Sequence, residues 1–140
     1  MKKILSLALL STFTLANNIT VNDPYVRQTP PNSKTTAFFL ELKNNSNQDI
    51  KLIKAQSSLS DTTEIHDHIM ENGKKMMVQI PQITIKANSS AELKPGGMHI
   101  MVLNLKENIT PQTKANLTLY FDDNSTIELK DIKSRSIKKQ

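Results

Sequence analysis

The side chains best suited to binding a metal lie in the middle of the chain, between residues 66 and 101. All three histidines fall there, together with five of the six methionines: His66, His68, Met70, Met76, Met77, Met98, His99 and Met101. Thioether sulfur is a soft ligand that selects Cu(I), and imidazole accepts copper as well as zinc. Hard cations such as Mg²⁺ and Ca²⁺ prefer oxygen ligands. These residue types therefore predict a site for a soft ion, with copper as the first choice.

Four of these residues have a distinctive spacing. Ten residues separate His66 from Met77, twenty-one separate Met77 from His99, and one separates His99 from Met101. This H-x10-M-x21-H-x-M pattern resembles the signature of the periplasmic PCu(A)C-type copper chaperones. The resemblance spans residues 19–132 through the blocks DPYVRQTPPNSKTTAFFLELKN, TEIHDH, ENGKKMM and ELKPGGMHIMVL.

The resemblance carries expectations about fold and function. It implies a cupredoxin-like Greek-key β-barrel, one Cu(I) at a surface site, and delivery of copper toward the copper centres of cytochrome c oxidase. Transferred residue by residue, it makes His66, Met77, His99 and Met101 the ligands. Some members carry a further C-terminal tail rich in His and Met that binds Cu(II). The tail SRSIKKQ has neither residue type, so the resemblance does not extend to a second copper site.

Strand geometry explains how residues so distant in sequence could meet. Residues i and i+2 of a strand share a face, so His99 and Met101 project together. His66 belongs to another strand, beside a predicted hairpin turn at residues 71–73 that brings Met77 back toward it. Opposed side chains of antiparallel strands lie about 5 Å apart, which lets two strand pairs surround one ion.

The chemistry of this ligand set favours transport over catalysis. All four candidate ligands are neutral, so they do not neutralise the positive charge of bound Cu(I). They include no carboxylate, which would favour Cu(II). A catalytic zinc site usually has three His or carboxylate ligands and an open water position. No nucleophile motif is present, and the protein is predicted not to be an enzyme. Two alternatives remain: a metal-free β-sandwich interaction module, and a zinc or copper enzyme that uses His66, His68 and His99.

Several neighbours of the four candidates have two interpretations. His68 shares a face with His66 and is interpreted as a solvated strand histidine, with a fifth or exchanging ligand as the alternative. Met70, Met76 and Met98 are interpreted as hydrophobic rim or core, with Met70 as the best candidate for a transient ligand during transfer. Glu64 and Asp67 could orient an imidazole through its second nitrogen, although exposed carboxylates are the simpler interpretation.

The rest of the chain reads as short β-strands. Alternating apolar runs are separated by turn signals every 8–12 residues, which is typical of an antiparallel sandwich or barrel. We predict a cupredoxin-like Greek-key β-barrel or sandwich of about eight or nine antiparallel strands. The most apolar strand covers residues 35–43 and directs Phe38, Leu40 and Leu42 to the core.

The N-terminal segment of the chain indicates export. Residues 1–16 have the charged start, apolar run and small-residue cleavage site of a signal peptide. The copper-binding domain is predicted at residues 17–133 and a basic flexible tail at 134–140. The apolar run is too short to span a membrane, so a periplasmic monomer is expected, with a copper-receiving protein as partner. The sequence has no cysteine, so we expect no disulfide and no lipoprotein anchor after the predicted cleavage site.

Net charge and its distribution do not indicate a nucleic-acid partner. Subtracting the charges of Lys2 and Lys3 from the formal +5 leaves +3 on the predicted mature chain. The basic residues concentrate near the C-terminus, and the few aromatic residues are not interleaved with them. This pattern argues against nucleic-acid binding.

Overall fold

The computed structural model describes residues 18–137, and every regular element in that range is a β-strand. The all-β prediction is therefore confirmed for this part of the chain, whereas the predicted signal peptide at residues 1–16 lies outside it. Across residues 18–137 there is also no helix long and apolar enough to cross a membrane. In chain order the strands are β1 (Ile19–Arg27), β2 (Thr36–Asn44), β3 (Ile50–Ser57), β4 (Thr62–Glu71), β5 (Lys74–Gln79), β6 (Ile83–Ile85), β7 (Ser90–Leu93), β8 (His99–Leu103), β9 (Lys114–Phe121) and β10 (Thr126–Arg135).

The ten strands form one folded sheet with the order β5-β4-β8-β2-β1-β10-β9-β3-β6, and β7 also pairs with β2. All strand pairs are antiparallel except β1 and β10, which run parallel where Val26 and Arg27 meet Ser134 and Arg135. The count is thus slightly above the eight or nine predicted, and the pairing is mixed. The parallel contact involves only two residue pairs, and residue alternation along a single strand carries no signal for it.

Strand β10 connects the two halves of the sheet. Its first part pairs with β9, and the register shifts between Leu129 and Ile132. Within this irregularity Asp131 has a φ of 55°. Bulges of this kind bend a strand and let it pass from one packed sheet to another. The end of β10 can therefore pair with β1, and the strand extends two residues past position 133.

The end of β10 is anchored by Arg135. Its guanidinium forms an ion pair with Asp23 of β1 and lies 4.4 Å from the centre of the Tyr25 ring. The ion pair lowers the pKa of Asp23, mainly through the hydrogen bond from Arg135. Because both charges are largely exposed, solvent screens the pair, and its main effect is to orient the strand end.

An apolar core fills the space between the two halves. Phe38, Leu40 and Leu42 of β2 are buried in it as predicted. Each fully buried side chain of this size stabilises the fold by about 1.5–3 kcal/mol. Strand β2 is also buried on its opposite face, where Ala37 and Phe39 lie against the candidate metal centre described below.

The hairpin between β4 and β5 has the turn that the sequence predicts. Asn72 and Gly73 form its tip, with φ values of 52° and 76°. Two-residue hairpins of type I′ require positive φ at both central positions, because that twist matches the twist of the strands. The turn sets the pairing of the whole hairpin, from Glu71 opposite Lys74 onwards.

A substitution at this turn should loosen the hairpin. Apart from Gly73 itself and its chain neighbours Asn72 and Lys74, no heavy atom of residues 18–137 lies within 4 Å of a Cβ built on Gly73, so Gly73→Ala costs only the left-handed backbone strain. We expect a loss of about 1 kcal/mol in hairpin stability, measured as faster amide exchange in β5. Asn72→Gly is the matched control and should change it by less than about 0.5 kcal/mol. Equal exchange in the two variants would contradict this assignment of the turn.

Candidate metal centre

Strands β4 and β8 present polar and sulfur-containing side chains on one face of the sheet, among them Glu64, His66, His99 and Met101. His66 lies directly opposite His99, and Glu64 lies directly opposite Met101. The other face of β8 belongs to the core, where Ile100 is fully buried. The strand alternation that the sequence predicts for His99 and Met101 is therefore present, and both project away from the core.

Strand β5 adds Met77 to this face, but not where the sequence analysis expected it. The hairpin was expected to bring Met77 back to His66. The register instead sets Met77 opposite His68, and His66 opposite Gln79. The difference follows from the two-residue turn, which determines every pair along the hairpin and cannot be adjusted by one side chain.

Met77 nevertheless reaches across β4 to His99. Its sulfur lies 3.1 Å from Nε2 of His99. Two donors that share an ion at about 2.0 Å (nitrogen) and 2.3 Å (sulfur) are about 3.5 Å apart at a tetrahedral angle. A thioether and an imidazole nitrogen are thus already close to the spacing at which both can bind one metal ion.

The His99 ring is oriented by a backbone carbonyl. Its Nδ1 lies 2.9 Å from the oxygen of Gly97, and because a carbonyl only accepts hydrogen bonds, Nδ1 carries the proton. The lone pair on Nε2 then faces Met77. A second hydrogen bond of this kind commonly fixes the tautomer of a metal-binding histidine. The sequence analysis did not identify Gly97, since a carbonyl acceptor has no residue-type signature.

His66 is buried, and its two ring nitrogens differ in their surroundings. Nε2 donates a hydrogen bond to the Glu64 carboxylate at 3.1 Å, so Glu64 orients the His66 ring. The sequence analysis had preferred an exposed carboxylate at this position. Nδ1 is buried without a hydrogen-bond partner among residues 18–137. A buried acceptor left unpaired costs about 1–3 kcal/mol, and a metal ion is one group that would satisfy it.

The environment of His99 favours the neutral imidazole. Burial lowers its pKa below 6.5; the bond to the Gly97 carbonyl opposes this shift, and repulsion from protonated His68 and His66 adds to it. A metal ligand must be unprotonated, so the lowered pKa keeps His99 competent to bind at mildly acidic pH.

Aromatic residues form the wall behind His99. The Phe39 ring is centred 6.2 Å from the His99 ring, and Tyr25 lies 5.4 Å from Phe39 on the next strand. Both separations fall in the range at which tilted rings attract each other. Sequence reasoning missed this row because His99 on β8 is far in sequence from Tyr25 on β1 and Phe39 on β2.

A shallow groove of about 290 Å³ opens over these side chains. Three of the four predicted ligands line the groove, namely Met77, His99 and Met101. His68, which is not one of the four, also lines it. Buried His66 does not line the groove. Within residues 18–137, no group of three or more His, Asp or Glu side chains is arranged to hold a metal ion.

Comparison with known proteins identifies the family. A family model described as "Putative lipoprotein LpqE-like" matches residues 19–132, from the start of β1 into β10. The chain belongs to the LpqE-like family. Among relatives, "Putative lipoprotein Lxx21020" of Leifsonia xyli subsp. xyli (strain CTCB07) is 31% identical over 112 residues, covering 79% of this LpqE-like chain. The match covers 66% of that relative, so the chain spans just under two thirds of its length.

Solved structures place this LpqE-like chain among PCuAC domains. The copper-bound PCuAC domain from PmoF2 matches with a TM-score of 0.69 and 15% identity, over 84% of this chain and 92% of that domain. Apo-DR1885 from Deinococcus radiodurans matches with a TM-score of 0.64 and 28% identity, over 86% and 80% of the two chains. The CuI-DR1885 structure matches with a TM-score of 0.60 and 26% identity, over 88% and 82%. The PCu(A)C resemblance and the cupredoxin-like fold class are therefore confirmed.

The environment of His99 leads to a prediction for the metal-free protein. We expect its imidazole to titrate below 6.5, because burial disfavours the charged ring. As pH falls through about 6.5, the unfolded chain takes up a proton that the native state refuses, so native stability declines until the folded pKa is reached. NMR titration of the His99 ring and the pH dependence of stability, compared with His99→Gln, test this. Titration of His99 above 6.5 would contradict it.

Proposed function

We propose that this protein is a copper chaperone that binds one Cu(I) ion through His66, Met77, His99 and Met101. The observation that best supports the proposal is the pairing of His99 Nε2 with the Met77 sulfur at 3.1 Å. It joins a soft donor and an oriented imidazole, a combination that favours Cu(I). The proposed ligands come from three different strands of one sheet face, so the fold can hold them without a long loop.

The surroundings of the groove support transport. Met77 is 46% exposed at its rim, whereas His99 is 4% exposed. One ligand is thus accessible to a partner while another is held by the fold. An ion in such a site can be passed on by exchanging the outer ligand first. The proposed ligands include no carboxylate, and we propose no enzymatic activity.

The solved structures support copper as the cargo and Cu(I) as its state. One matching domain is copper-bound, and one matching protein, at 26% identity, has a structure described as CuI-DR1885. Soft thioether ligands point to the same oxidation state on independent chemical grounds.

We further propose that the protein acts in the periplasm as a monomer. The predicted signal peptide at residues 1–16 would export it, and residues 17–133 would form the copper-binding domain. A relative described as a lipoprotein supports an exported location. The partner would be a protein that receives copper, such as a cytochrome c oxidase subunit or another copper chaperone.

Loss of two ligands should abolish tight copper binding. Under anaerobic conditions we expect the protein to bind one equivalent of Cu(I). The His99→Ala and Met101→Ala double variant should lose more than about 100-fold in affinity, because two of four donors are gone. Competition with a chromophoric Cu(I) chelator measures both values.

Met98→Leu is the matched control for this experiment. Met98 packs against the core cluster rather than facing the groove, so its thioether should be dispensable. We expect an affinity within about threefold of the unaltered protein, which is a small free-energy difference. A double variant that binds Cu(I) as tightly as Met98→Leu would refute the proposed ligands.

Cu(I) should stabilise the native protein, and zinc should do so less. A ligand that binds only the folded state stabilises it by about 2.7 kcal/mol at 100 times its dissociation constant. We therefore expect an increase in melting temperature with Cu(I), and a smaller one with equimolar Zn²⁺, because the donor set includes thioethers. An unchanged melting temperature with Cu(I) would favour the metal-free module, and a larger increase with zinc would favour the enzyme alternative.

A further inference from the structure

The side chain of His68 takes part in the groove although the ligand motif does not include it. We propose that His68 is a further copper ligand, forming with Met77 and His99 an outer set of donors on the solvent side of the site. This inference rests on the proposed function, because it requires copper to occupy the groove. It replaces the expectation that His68 is a solvated strand histidine.

The strand register brings His68 to Met77. The two residues are direct partners in the β4–β5 hairpin, so their side chains lie on the same face and at the same level. Opposed side chains in antiparallel strands are about 5 Å apart at Cβ. His66, by contrast, faces Gln79 across the same hairpin, so Met77 reaches the level of His66 only diagonally.

The His68 ring is oriented in the same way as the His99 ring. Its Nδ1 lies 3.0 Å from the oxygen of Gly97, the same atom that accepts from His99 Nδ1 at 2.9 Å. One carbonyl therefore fixes the protonated nitrogen of both rings and leaves Nε2 of each with a free lone pair. A merely solvated histidine would have no need for this constraint, whereas metal ligands are commonly held by it.

The spacing of the rings permits a shared ion. The centres of the His68 and His99 rings are 5.4 Å apart, and those of His66 and His99 are 5.7 Å apart. Two imidazoles that bind one ion have ring centres at most about 6.4 Å apart, given metal–nitrogen bonds of about 2.0 Å. Both pairs meet this condition, and the pair that includes His68 is the closer.

Accessibility separates the roles of His66 and His68. His66 is buried and bonded to Glu64, while His68 is only partly buried and lines the groove beside Met77. The outer set shares Met77 and His99 with the four proposed ligands. Cu(I) can therefore move between the positions by forming a bond to one imidazole as the bond to the other breaks, with no change in its oxidation state.

The test compares His68 variants with the unaltered protein during anaerobic Cu(I) titration. In NMR spectra of ¹⁵N-labelled protein, Nε2 of His68 should shift on addition of one equivalent of Cu(I). His68→Gln should lower the Cu(I) affinity about 10-fold, and His68→Met should restore it to within about threefold, because a neutral soft donor returns. Amide spectra of the apo variants establish that each remains folded.

Met76→Leu is the matched control, because Met76 pairs with Ile69 on the opposite face of the β4–β5 hairpin, is 45% exposed, and does not line the groove. Its Cu(I) affinity should be unchanged. The proposal is overturned if Nε2 of His68 does not move, if His68→Gln binds as tightly as the unaltered protein, or if His68→Met binds no better than His68→Gln. Failure of the unaltered protein to bind Cu(I) would instead refute the proposed function, so the two failures are distinguishable.

Discussion

The register of β8 between β2 and β4 determines which side chains reach the groove. In this register His99 meets His66 on one side and the aromatic ring of Phe39 packs near it on the other, while Ile100 enters the core. A slip of one residue would exchange the two faces of the strand and send His99 and Met101 into an apolar interior. Core packing therefore holds the candidate ligands in position, since burying Ile100 and Val102 leaves them only the opposite face.

The same arrangement places two histidines in surroundings that are unfavourable unless an ion is bound. The pKa of His99 is lowered mainly by its burial, and Nδ1 of His66 is buried without a partner among residues 18–137. The unpaired nitrogen of His66 disfavours the apo state modestly, and the lowered pKa of His99 does so only below about pH 6.5. A bound ion at this position would accept the free lone pairs and remove that cost, which couples the stability of the fold to its proposed cargo.

Much of this arrangement was accessible from the sequence, and the exceptions have physical reasons. The i, i+2 spacing placed His99 and Met101 on one face, and Asn72–Gly73 predicted the hairpin turn. The pairing of Met77 with His68 was not predicted, because a pattern gives the existence of a turn more readily than the exact pairing beyond it. Gly97 escaped notice because it contributes a backbone oxygen, which any residue could supply.

The exposure of Met77 also has a chemical consequence. A thioether at the rim of a groove is open to oxidants as well as to partner proteins, and its sulfoxide is polar and no longer a soft donor. Met101, less exposed on β8, is better shielded. Oxidation would then reach the outer donor first, so a single oxygen atom on one sulfur would block the proposed copper exchange while leaving the β-sheet intact.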